Sequence, residues 1–274
     1  MYEDYWRLNG SPFRNEADDQ WFCETPGHDE ALARLFFLVE QGRRCGLLAA
    51  PAGTGKSLLL RLLFAELERS QRKVVMVQSA GLDRHELLIE LCDALKLQST
   101  DGSTPFTRWR ALSDQLAAWQ MAHVQSVLLF DRFERAEPDC YRLIEQLLHL
   151  DVCGEGGLTV IVAARPESPV LSGLADLADL RIDVLPLDEK QTADYVAGLL
   201  QQAGCERQLF EPEALDVLFK RSQGVPRAIN RLCDLSLLAA MSEGRDSVEK
   251  ATVVRAAQEL QVDATLVRNS RLRA

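Results

Sequence analysis

No stretch of this 274-residue chain approaches the roughly 18 consecutive apolar residues that a membrane-crossing helix requires. The tidiest apolar run, Leu158 to Ala164, is only strand-sized. The first residues, Met1-Tyr2-Glu3-Asp4-Tyr5-Trp6, lack the basic start and apolar core of a secretory signal. Seven cysteines stand at 23, 45, 92, 140, 153, 205 and 233, and no two form a C-x-x-C pair. An odd, dispersed set of this kind excludes a disulfide frame or zinc knuckle and reads as reduced thiols, so a cytoplasmic setting is expected. Positive charge is also short. Lys and Arg number 31 against 41 Asp and Glu, a formal net charge of −10, which argues against a broad nucleic-acid footprint. Basic residues gather only locally, at Arg268, Arg271 and Arg273 near the end and at Lys220, Arg221, Arg227 and Arg231. Internal repeats and low-complexity segments are absent.

What is present is an ordinary globular composition, 47% apolar and 26% charged. After an aromatic and acidic start, Asn9-Gly10-Ser11-Pro12-Phe13 marks a break. From Asp29 the residues Leu32, Leu35, Phe36 and Val39 recur at helical spacing. Strands are expected at Gly46–Ala50, Val74–Val77, Val127–Phe130, Leu158–Ala163 and Ile182–Leu185. Helices are expected between them, over Ser57–Arg69 and Tyr141–Leu150 and on the faces Leu87/Leu88/Leu91/Leu95 and Trp109/Leu112/Leu116/Trp119. That alternation predicts an α/β fold, a parallel sheet covered on both faces. After Pro186 only helices follow, at about 189–203, 211–222, 226–243 and 249–261. The expected organisation is therefore an α/β domain over 1–186 with an N-terminal extension, a small all-helical domain over 187–262 and a basic tail over 263–274.

Between the first strand and its helix lies Ala50-Pro51-Ala52-Gly53-Thr54-Gly55-Lys56-Ser57. In that setting the pattern G-x-x-x-x-G-K-[ST] has a mechanism. Gly53 and Gly55 let backbone N–H groups turn inward around phosphates, and the helix start adds free N–H donors and a partial positive charge. Lys56 can reach β- and γ-phosphate oxygens and Ser57 can ligate magnesium. Residues Pro51 to Leu58 are thus the expected nucleotide cradle, with ATP and Mg2+ as ligands. The first glycine of the pattern is replaced by Ala50, at the strand end and farther from the phosphates.

A carboxylate at the end of a neighbouring strand should hold the magnesium, and Val127-Leu128-Leu129-Phe130-Asp131 supplies Asp131. The next residue is Arg132, whose guanidinium cannot act as a base near neutral pH. Glu134 is the nearest acid that could polarise the attacking water, and Glu137 is a second candidate. The strand Thr159 to Ala163 runs into Ala164-Arg165, so Arg165 is the first polar residue where a water-orienting group is expected. These departures leave open whether hydrolysis is brisk or slow.

The chain resembles the AAA+ ATPases of the ExeA (general secretion pathway protein A) type over about residues 2 to 261. The residues carrying the resemblance are Tyr2-Glu3-Asp4-Tyr5-Trp6-Arg7-Leu8, Ser11-Pro12-Phe13 and His28-Asp29-Glu30-Ala31-Leu32-Ala33-Arg34-Leu35. To these add the strand ending at Asp131, Pro186-Leu187, and Gly224-Val225-Pro226-Arg227-Ala228-Ile229-Asn230-Arg231-Leu232-Cys233-Asp234. The resemblance implies an αβα core with a helical lid, nucleotide between them, and ATP-dependent self-association. By position Arg227 corresponds to a lid arginine that reaches the γ-phosphate, and Pro226 suits the first turn of a helix that would present it. His28 and Glu30 fall where the family's N-terminal segment packs near adenine. Arg181 falls where an arginine finger could be offered to a neighbour.

Fuller members of the type carry a transmembrane helix and a peptidoglycan-binding part after the ATPase, neither of which lies within these residues. The expected function is an ATP-driven conformational switch acting through a separate secretion or pilus-assembly partner. A DNA-associated regulatory ATPase of the transposon target-selection kind, and an ATP-binding scaffold with little hydrolysis, are the alternatives.

Overall fold

The computed structural model describes residues 2–14, 21, 23–70, 72–97, 104–150, 152 and 157–260. In chain order the first helices and strands are α1 (Tyr2–Trp6), α2 (Pro26–Glu40), β1 (Cys45–Ala49), α3 (Lys56–Glu68), β2 (Lys73–Gln78) and α4 (Arg84–Ala94). Next come α5 (Pro105–Met121), β3 (Ser126–Asp131), α6 (Tyr141–Leu148), β4 (Leu158–Ala164), α7 (Pro169–Leu174) and β5 (Leu180–Asp183). The last are α8 (Glu189–Gln202), α9 (Pro212–Ser222), α10 (Pro226–Ser242) and α11 (Lys250–Glu259). The chain divides into two compact units, 27–51 with 55–184, and 1–26 with 52–54 and 185–274.

The first of these is a five-stranded parallel sheet in the order β2-β3-β4-β1-β5. Its inner strands are buried along their whole length, and that is why they read as unbroken Val, Leu and Ile runs with no polar alternation. Alternate residues feed two cores. Leu47, Leu128, Phe130, Val160 and Val162 pack with Leu87 and Leu91 of α4, Leu116 of α5 and Leu147 of α6. On the other face Leu48, Val127, Leu129, Ile161 and Ala163 pack with Leu35 and Leu38 of α2 and Leu59, Leu60 and Leu63 of α3. The architecture is that of a P-loop NTPase sandwich, as the alternating pattern implies.

This strand order has a consequence for function. From β1 the chain crosses over β4 and β3 to reach β2, so ligand-binding loops leave the carboxyl ends of β1, β4 and β3 side by side. Register makes the arrangement concrete: Ala49 pairs with Ala164, and Gln78 pairs with Asp131. The last strand begins two residues earlier than its sequence suggests. Leu180 and Ile182 alternate into the sheet, whereas Leu185 is 75% exposed beyond it. Helices α1 and α7 are too short to have shown a helical period in the sequence.

The second unit holds α8 to α11, the helices expected after Pro186. The described residues among 1–26, which the sequence reading attaches to the α/β domain as an extension, group with these helices. The reason is a set of aromatic anchors. Trp6 is buried and its Nε1 donates to Leu237 O at 3.1 Å. The Tyr2 hydroxyl donates to Asp234 Oδ1 at 2.6 Å, and Phe13 meets Phe210 edge to face at 6.4 Å. The tail over 263–274 lies outside the described residues.

Candidate nucleotide site

Ala50 extends β1 by one more hydrogen bond, its N–H donating to Ala164 O at 3.2 Å. Its methyl group is wholly buried, so alanine is tolerated where the motif has glycine. Two glycines of the loop are obligatory. Gly55 has φ +107°, and a Cβ there would lie 2.6 Å from His28 Nε2; Gly53 has φ +87°, and a Cβ would lie 2.9 Å from Arg227 Cβ. Helix α3 then begins at Lys56 with no side-chain cap, leaving its first-turn N–H groups without a side-chain acceptor.

Lys56 is 93% buried by solvent exposure, and its Nζ donates to Ala50 O at 2.5 Å and Pro51 O at 3.0 Å. The ammonium is parked on carbonyls of its own loop. Burial pushes its pKa below the ordinary lysine value, and the charges of Glu134 and Asp131 push it back up. Ser57 and Leu58 occupy the first turn of α3, both half-buried.

Asp131 ends β3 completely buried. Its Oδ1 accepts the Arg132 N–H at 2.8 Å, and its Oδ2 accepts from Gln78 Nε2 at 3.1 Å. Arg132 adopts a left-handed conformation, φ 52°, and its Nε stands 3.9 Å from Asp131 Oδ2. That turn leads into a 3₁₀ segment, Phe133–Arg135, which buries Phe133 and draws Glu134 inward. Glu137 is exposed. Arg165, directly after β4, places its Nε 3.3 Å from Glu134 Oε1.

Three polar atoms at these strand ends are buried without any hydrogen-bond partner: Ser79 Oγ, Glu134 Oε2 and Arg165 Nε. Orphaned buried polar groups are uncommon in folded proteins, and these three lie at the strand ends that follow β2, β3 and β4. Gln78 and Ser79 escaped the sequence reading, because only the β2–β3 register brings them to Asp131.

The remaining candidates are distributed as follows. His28 is buried in the first turn of α2, against Gly55. Glu30 pairs with Arg34 at 2.5 Å on the outer face of that helix. Arg181 lies on edge strand β5 and is chelated by Asp183, with Nε and Nη2 donating to Oδ1 at 3.1 and 3.0 Å. In the helical unit Arg227 is the second residue of α10, after Pro226, and its N–H donates to Gly53 O at 3.1 Å. Thr54 is buried at the loop crown; Ala52 is exposed there.

Residues 39–169 match the family described as AAA domain. Along nearly its whole length the chain is 29% identical, over 266 residues, to General secretion pathway protein A of Aeromonas hydrophila. That match covers 95% of this chain but only 48% of the relative, so the chain spans about half the length of that protein. The resemblance to ExeA-type AAA+ ATPases is borne out. Among solved structures it is similar to Cdc6p from Pyrobaculum aerophilum, with a TM-score of 0.72 at 16% identity over 91% of this chain and 70% of that one. Drosophila ORC bound to DNA gives 0.71 at 16% identity, covering all of this chain and 69% of that one. The RuvB branch migration motor of Thermotoga maritima gives 0.55 at 17% identity, over 92% and 74%. At such identities these structures show a shared fold and nothing further. Among the described residues, no helix is long and apolar enough to cross a membrane.

Proposed function

We propose that this AAA+ nucleotide-binding protein binds ATP with magnesium and hydrolyses it, and that the cycle drives a conformational switch in an envelope or secretion assembly. The observation that carries the reading is Lys56: a buried ammonium held on loop carbonyls, at the start of an uncapped helix, within the field of Asp131 and Glu134. Phosphate oxygens would replace the carbonyls of Ala50 and Pro51 as its partners, while the first-turn N–H groups of α3 take the remaining oxygens. The hydroxyl of Ser57 and the carboxylate of Asp131 are hard oxygen donors that suit magnesium, which completes its shell with water and phosphate. When bound, that ion neutralises charge on the phosphates. Glu134 would take a proton from water, and Arg227 would report the γ-phosphate to the helical domain. His28, packed against Gly55, would shape the nucleotide's entry to the loop.

The secretion role rests on the name of the Aeromonas hydrophila relative and on the aromatic start and Arg227 segment that carry the resemblance. Self-association and a cytoplasmic location belong to the same proposal. A stability measurement tests its foundation. Ligand at ~100 Kd adds roughly 2.7 kcal/mol to the folded state. ATP with magnesium should therefore raise the Tm of the wild type by several degrees and leave Lys56→Ala unmoved. Equal shifts in both proteins would place the nucleotide elsewhere.

A further inference from the structure

Between α8 and the chain that leads into α9, the helical unit carries an open groove of about 560 Å³. Its floor is apolar, made by Val196 and Leu200 of α8 and by Leu209 and Phe210. Its rim is acidic. Asp194 and Glu206 line it, both exposed, and neither forms an ion pair among the described residues. Arg207 stands on the same rim, but its guanidinium lies 5.6 Å from the Trp6 ring centroid, where the aromatic face engages its charge. Exposed Ala197, with its short side chain, leaves the α8 side of the groove low. An apolar floor edged by carboxylates suits a segment that combines apolar side chains with arginines.

The chain itself holds such a segment. Residues 261–274, which lie outside the described residues, contain Val262, Leu266, Val267 and Leu272 together with Arg268, Arg271 and Arg273. Three arginines less one acid, Asp263, give a local charge of +2 on a chain whose formal net charge is −10. The described chain delivers this segment close to the groove. Leu260 packs on the same core as Leu215, which lines the groove. Ahead of α11, Val248 N–H donates to Leu209 O at 2.7 Å, and Glu211 N–H donates to Val248 O at 3.1 Å. The run from Val248 to Leu260 therefore starts at the groove wall, and at about 1.5 Å per helical residue it ends roughly 20 Å away. Residues 261–267, if extended, span about 23 Å. Arg268 and the residues after it can thus return to Asp194 and Glu206.

We propose that residues 261–274 dock in this groove of their own chain, with Leu and Val side chains on the floor and arginines at Asp194 and Glu206. Covalent attachment favours the contact. A tethered segment has an effective concentration on the order of 1 mM, so even a weak site is filled. A site with a Kd of ~0.1 mM leaves only about one tail in ten undocked.

Hydrogen exchange of the full chain, read by mass spectrometry over residues 261–274, tests this. In the wild type those amides should exchange about tenfold more slowly than in an open chain of the same sequence, the factor that one undocked tail in ten gives. Asp194→Lys with Glu206→Lys, at two exposed positions, should abolish the protection. Adding Arg268→Glu, Arg271→Glu and Arg273→Glu should restore it, because the charges are then exchanged across the contact. Ala197→Trp fills the groove from an exposed position, and it should remove the protection with every charge intact. Unprotected amides in the wild type would overturn the proposal, and so would protection that survives the rim reversal or Ala197→Trp. A rim reversal that the arginine exchange fails to rescue would overturn it too. Protection that grows over about a hundredfold rise in protein concentration would also overturn it, by placing the tail on a second copy.

Discussion

Arg132 shows how a single backbone angle decides what the neighbouring acids can do. A left-handed conformation costs an L-residue on the order of 1–2 kcal/mol, and Arg132 holds it directly after a buried aspartate. The turn sends Phe133 into the core, edge to face with Phe130 at 6.0 Å, and carries Glu134 inward while Glu137 faces solvent. The sequence favours Glu134 over Glu137 only for its nearness to Asp131, and the turn is what separates their surroundings. The place of Asp131, by contrast, was legible, because an apolar strand-sized run ends in it, and it does end β3. Its proposed role makes a definite prediction. Asp131→Asn should weaken ATP binding by about tenfold or more when magnesium is present, the value of one charge-assisted contact. Without magnesium the loss should be small. Calorimetric titration with and without the metal separates these, and a metal-independent loss would make Asp131 a structural residue held by Gln78 and the Arg132 N–H.

At the scale of elements, periodicity located every helix of more than eight residues and all five strands, since buried parallel strands and amphipathic helices leave strong signals. The docking of the N-terminal segment was invisible for a different reason. Trp6, Tyr2 and Phe13 are anchored by residues more than 190 positions away, and no local pattern encodes such partners. The turn between α9 and α10 is a case where local chemistry is severe. Gln223 and Gly224 take φ of 52° and 70°, and Gly224 N–H and C=O are packed so tightly that an added Cβ would lie 1.8 Å from Leu187 O. That carbonyl belongs to the segment hydrogen-bonded to the turn, Leu187 N donating to Gly224 O at 2.9 Å. Gly224→Ala should therefore destabilise the protein by about 2–4 kcal/mol, combining backbone strain with a backbone clash. Gln223→Gly relieves the same strain but loses the exposed Gln223 Nε2 hydrogen bond to Lys220 O at 2.8 Å, so it should leave stability within about 0.5 kcal/mol of the wild type. Urea unfolding of the two variants checks both, and a neutral Gly224→Ala would mean that the turn relaxes freely.

At the scale of the whole molecule, three residues of the phosphate loop group with the helical unit. Pro51 and Gly55 group with the α/β unit, whereas Ala52, Gly53 and Thr54 between them group with the helical unit. Within that helical unit, Gly53 O accepts the N–H of Arg227, and the missing Cβ of Gly53 leaves room for the Arg227 side chain. The sequence supplied Arg227 only through family resemblance; its attachment to the loop crown is a tertiary fact. If Arg227 reports the γ-phosphate, its removal should cost the triphosphate state alone. Arg227→Ala should keep ADP affinity within about twofold and lose roughly ten- to hundredfold of ATP affinity, the range given by a charge-assisted hydrogen bond. A ligand shifts a conformational equilibrium only by its differential affinity for the two states, so the variant should also lose any ATP-dependent self-association. Sedimentation velocity with ADP or with a non-hydrolysable ATP analogue reads this directly. The wild type should change its sedimentation coefficient between the two nucleotides, and Arg227→Ala should sediment alike in both. A variant that still assembles with the analogue would show that Arg227 only supports the loop.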